Sequence, residues 1–94
     1  MEAMNATDNQ PKGKKMKNRN QIMASLENPS EAECSRINDR LQQCNIREVR
    51  ADGSTVQNTS VRTRLQLLRA MREDETVLRF EYRYNGEWVP AYCA

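Results

Sequence analysis

Side-chain chemistry at neutral pH usually rests on histidine, and this chain of 94 residues has none. That removes the ordinary proton shuttle, every His-dependent nucleophilic triad and every His-ligated metal site. The cysteines stand at Cys34, Cys44 and Cys93, without the CxxC-type spacing of a zinc site. Gly13, Gly53 and Gly86 stand alone, so there is no glycine-rich phosphate loop. Acidic residues such as Glu48 with Asp52, or the run Glu73-Asp74-Glu75, fall at expected surface ends and read as solvated charge. The expectation is a non-enzymatic protein with neither cofactor nor metal.

What remains is arginine set beside aromatic rings in residues 77–93, VLRFEYRYNGEWVPAYC. Asn85-Gly86 is a strong hairpin signal, because a two-residue type I′ turn needs positive φ at both central positions. With that pair at the tip, Tyr84 faces Glu87, Arg83 faces Trp88, Tyr82 faces Val89, Phe80 faces Ala91 and Leu78 faces Cys93. One face then carries Leu78, Phe80, Tyr82, Val89, Ala91 and Cys93. The other carries Arg79, Glu81, Arg83, Trp88, Pro90 and Tyr92. A one-residue slip destroys this sorting, so the pattern itself supports the register. On the polar face Arg83 pairs with Trp88 and Arg79 with Tyr92. Such pairs can be cation–π contacts that cover a face, or a surface suited to phosphates, stacked bases or a protein hot spot.

Other elements must hold that hairpin. Residues 19–27, RNQIMASLE, predict a short helix with Ile22, Met23 and Leu26 on one side. Asn28-Pro29 breaks it and a second helix restarts, with Asn28 as N-cap and Pro29 at N1, or with Ser30 and Glu33 as a capping box. Cys34, Ile37, Leu41 and Cys44 make its apolar stripe. Cys34 and Cys44 are then roughly 15 Å apart along the axis and cannot bridge each other, so they read as small packed hydrophobes. Ile46-Arg47-Glu48-Val49-Arg50 alternates as a third strand and ends at Asp52-Gly53, with a loop over 51–58. Thr59 or Ser60 caps a helix over SVRTRLQLLRAMRED, with Val61, Leu65, Leu68 and Met71 or Arg72 inward and Leu67 widening the stripe. Arg62, Gln66, Arg69 and Glu73 line its far side, with Arg64 between. The acidic end opposes the helix dipole and predicts termination by about residue 72.

The fold class is α+β: two to three helices on a small antiparallel sheet that ends in a C-terminal β-hairpin. An arginine-bearing helix followed by a tight hairpin resembles the winged-helix group in element order over residues 59–93. That resemblance implies a recognition helix in the major groove and a hairpin riding beside it.

Residues 1–18 read as a mobile basic tail holding Lys12, Lys14, Lys15 and Lys17, and residues 19–94 as one small domain. Through Arg19 the charge is five positive against two negative; residues 20–94 carry ten arginines against eleven acids. The net charge of +2 therefore belongs to the tail. Val, Ile, Leu and Phe number only fifteen, which predicts a thin core, for which homodimerisation or ordering on a partner is a natural supplement. No apolar run approaches the roughly 18 residues of a membrane span, and no apolar leader stretch opens the chain. With an odd, scattered cysteine set, the expected setting is reducing and cytoplasmic.

Two functions fit. In the first, a small nucleic-acid-binding regulator contacts phosphates or bases through Arg62, Arg64 and Arg69. Arg79, Arg83 and Trp88 then form the wing, with Tyr92 a further candidate contact, and the lysine tail adds non-specific affinity. In the second, a protein-interaction module or inhibitor binds a larger partner through the hairpin or its edge.

Overall fold

The computed structural model describes residues 17–94. The expected basic tail, with Lys12, Lys14 and Lys15, lies outside the described residues; Lys17 is within them.

Three helices and four strands follow in the order α1 (Arg19–Glu27), α2 (Glu31–Gln43), β1 (Ile46–Arg50), β2 (Thr55–Asn58), α3 (Arg64–Glu73), β3 (Val77–Tyr84) and β4 (Glu87–Pro90). The strands form one antiparallel sheet ordered β2-β1-β3-β4, so the fold is the expected α+β class. No described helix is long and apolar enough to cross a membrane.

Each helix starts on a side-chain cap. Asn18 and Gln21 form a reciprocal capping box at α1. Ser30 accepts from the Glu33 amide at α2, so the helix takes the second of the two expected starts, but the Glu33 carboxylate turns to Arg36 and the expected capping box is left half made. Helix α3 begins later than expected, at Arg64: Thr63 accepts from the Gln66 amide, while Asn58 Oδ1 holds the amides of Ser60 and Val61 in a turn. Packing against α1 and α2 centres its buried stripe differently from the expectation. Leu67, Leu68 and Met71 point inward, whereas Leu65, expected in the core, is 63% exposed. The helix ends at Glu73, close to the expected place.

The hairpin register is as the sequence predicts: Tyr84 opposite Glu87, Arg83 opposite Trp88, Tyr82 opposite Val89, with Asn85 and Gly86 both at positive φ. Two details differ. A β-bulge opposite Val49/Arg50 leaves Leu78 as the extra residue, so Val77 turns into the core and Leu78 is only half-buried. The last residues also leave the ladder after the Ala91 amide bonds Phe80 O, and the Cys93 amide donates to Ser25 Oγ on α1 instead of lying opposite Leu78.

The stretch 51–58, expected as loop, contains strand β2. The Gly53 amide donates to Arg50 O and the Arg50 amide to Ser54 O, with Gly53 at φ +89°. This is a three-residue hairpin loop closed by a glycine bulge. It sets Val49 opposite Thr55, Glu48 opposite Val56 and Arg47 opposite Gln57. As expected, a hairpin follows α3, but the elements before α3 are β2 and an irregular segment, not another helix.

The core joins Ile22 and Leu26 of α1, Ile37 and Leu41 of α2, and Leu67, Leu68 and Met71 of α3 to Ile46, Val77, Phe80 and Tyr82 of the sheet. Phe80 and Tyr82 share a parity on β3, so the helices cover that one face. Among the described residues no helix covers the opposite face.

Candidate interaction face

Strand alternation puts Arg47 and Val49 of β1, Thr55 and Gln57 of β2, Arg79, Glu81 and Arg83 of β3, and Trp88 of β4 on the uncovered face. Its centre is ionic. Glu81 is only 4% exposed, and its carboxylate accepts from Arg47 Nε at 2.8 Å, with Nη2 at 2.7 Å, and from Arg79 Nε at 2.9 Å. One buried carboxylate thus fixes two guanidinium groups, which satisfies a charge that could not otherwise be taken out of water.

Trp88 completes the layer. The Arg47 guanidinium lies 4.2 Å from its ring centroid and that of Arg83 lies 5.4 Å away. Both distances are within cation–π range. Asn45, Arg47, Thr55, Gln57 and Trp88 line a shallow groove beside the ring. Three guanidinium groups against one carboxylate leave the face net positive. Val49 is nearly buried between Thr55 and Arg79 on the neighbouring strands, an apolar spot outside the main core.

Of the residues singled out from sequence, the structure brings Arg79, Arg83 and Trp88 together here. The expected pairing of Arg83 with Trp88 is present. Arg79 is bonded to Glu81, while Tyr92 lies under Lys17 Nζ at 5.6 Å, and its carbonyl accepts from Arg36 Nη2 at 2.9 Å.

The arginines of α3 are placed differently. Arg64 Nη1 donates to Leu26 O in the last turn of α1, and Arg62 Nη1 donates to Leu41 O of α2 at 3.3 Å. Arg19 in turn holds the end of α3, donating to Met71 O, to Asp74 O at 3.1 Å and to Val77 O at 2.8 Å. Each helix C-terminus therefore meets an arginine from another element, which satisfies orphan carbonyls and opposes the dipole. At the acidic end of α3, Arg19 thus joins Arg72 of the last turn in opposing the dipole. Arg69 is 79% exposed on its side chain, with Glu73 at 4.0 Å, and Arg72 pairs with Glu27 at 2.9 Å.

Away from the face, Asp74 accepts from the Thr76 hydroxyl at 2.6 Å and from Arg50 Nη2 at 2.9 Å; together they hold its carboxyl down at about 2. Glu33 is lowered by its hydrogen bond with Arg36. Burial pushes the Cys93 thiol up, with Glu33 adding to the effect, so the thiolate is disfavoured. All three cysteines are free. Among the described residues no group of three or more acidic or cysteine side chains could hold a metal ion.

Sequence reasoning missed Arg47, the buried role of Glu81, and β2. Arg47 was reachable, since alternation sets it on one face with Val49, but its meeting with Trp88 needs β1 beside β3. Comparison with family models, with curated proteins and with solved structures returned no match, so the reading of this face rests on its own geometry.

Proposed function

We propose that this chain is a small non-enzymatic interaction module that captures a larger protein on the uncovered face of its sheet. The observation that carries this reading is Trp88, held beside Arg47 and Arg83 with the buried Glu81 on a face that no described helix covers. Tryptophan and arginine are the residues that most often dominate binding energy at protein interfaces. Here their rotamers are fixed in advance by cation–π and ionic contacts, so little side-chain freedom is lost on binding.

Nucleic-acid binding is the second reading. The exposed Arg69 and the lysines of the N-terminal segment favour it. Against it, Arg62 and Arg64 are occupied with helix ends, and residues 20–94 carry one more acid than arginine. Capture from lysate with and without nuclease separates the two. The protein reading expects a partner that survives nuclease and is lost on Trp88→Ala with Arg83→Ala. Recovery that vanishes with nuclease, and falls steeply with salt, supports nucleic acid instead.

A further inference from the structure

The sheet has two edges, and they are built differently. At the β4 edge the ladder uses the amides and carbonyls of residues 87, 89 and 91, so those of 88 and 90 face outward. Residue 90 is proline, with no N–H to offer, and Glu87 adds a charge. These are usual guards against strand pairing.

At the β2 edge the Arg50 amide bonds Ser54 O and the Arg83 amide bonds Asn45 O, which fixes the alternation on β1. Val56 and Asn58 therefore bond to β1, and the amides and carbonyls of Thr55 and Gln57 face outward. Within this strand neither a proline nor a charge guards the edge. Residues 53–61, GSTVQNTSV, hold no charge and no proline in a chain that is 30% charged, and Val56 is 46% exposed. Thr55 and Gln57 also line the groove beside Arg47 and Trp88, so the edge and the face form one continuous surface.

We propose that β2 accepts an extended segment of the partner protein as a fifth strand, and that this segment alternates acidic with apolar side chains. This rests on the protein-binding reading above. Backbone pairing with Thr55 and Gln57 supplies the attachment. Every second side chain of the added strand then lies on the side of the groove, whose one charged lining residue is Arg47 on a face where three arginines outnumber one carboxylate, and an acid fits. The intervening side chains fall on the side of Val56, where an apolar group fits.

The test selects a phage-displayed library of random decapeptides on the 94-residue chain. Enriched peptides should alternate Asp or Glu with apolar residues, and synthetic copies should slow hydrogen exchange at the Thr55 and Gln57 amides. Gln57→Pro removes one outward N–H that β1 does not use, so it should keep the far-UV spectrum and weaken those peptides by about tenfold or more. Failure to enrich, or equal binding to Gln57→Pro, overturns the proposal. So does concentration-dependent protection of Thr55 and Gln57 without peptide, which assigns the edge to a second copy. A captured protein lost on Trp88→Ala but kept by Gln57→Pro leaves the face reading standing and sinks only the added strand.

Discussion

Removing the Glu81 carboxylate is the sharpest perturbation of the uncovered face. Glu81→Ala leaves Arg47 and Arg79, whose side chains are 28% and 23% exposed, without the group that fixes them. A hydrogen bond to a charged group is worth about 1.5–3 kcal/mol, and breaking a fully buried pair costs about 3–5. Both arginines can swing toward water, so the expected loss lies at the lower end, about 2–3 kcal/mol. For a domain of this size each kcal/mol moves the melting temperature by about 4–8 °C, so Tm should fall by roughly 10–20 °C. Urea unfolding with an unchanged m-value gives the free energy directly. Replacing all three residues together, Arg47→Met, Glu81→Met and Arg79→Met, should recover much of the loss, because an apolar layer carries no stranded charge. A Glu81→Ala loss below about 0.5 kcal/mol, the size of an ordinary surface change, refutes the view that this carboxylate organises the face.

Arg64→Met removes the donor at the end of α1 and should cost about 1–2 kcal/mol in urea, while Arg69→Ala should stay within about 0.5. Leu67→Ala should cost about 2–5 kcal/mol and Leu65→Ala close to nothing, since only the first sits in the core. Asp74 has a folded pKa of about 2 against an ordinary 3.8, so its ionised form is the one the fold favours. Its stabilisation is present above the ordinary value and is lost as pH falls from 3.8 toward about 2. Asp74→Asn should flatten stability across that acid window, as followed by melting temperature against pH.

Local signals carried much of this fold. Asn85-Gly86 set the hairpin register because both residues can take positive φ, and the spacing of Ile37 and Leu41 set the inner face of α2. Misses came where a choice depended on neighbours. Asp52-Gly53 does end β1, but residues 51–58 read as loop because Thr55–Asn58 has only one apolar residue, and its pairing with β1 is what makes it a strand. Leu65 and Leu67 both fit a helical stripe with Leu68, and packing against α1 and α2 decided between them. In one dimension Glu81 reads only as one acid on the polar face of the hairpin. Only β1 lying beside β3 brings Arg47 to it, and so builds the layer under Trp88.

Trp88 is the single tryptophan of the chain, so 5-fluorotryptophan labelling gives one fluorine resonance that reports the uncovered face alone. Titration with a nuclease-resistant partner should shift or broaden that resonance in step with binding. If the signal stays unmoved at saturation while amides around Leu65 and Arg69 shift, the partner sits on α3 and the sheet face is not the binding surface.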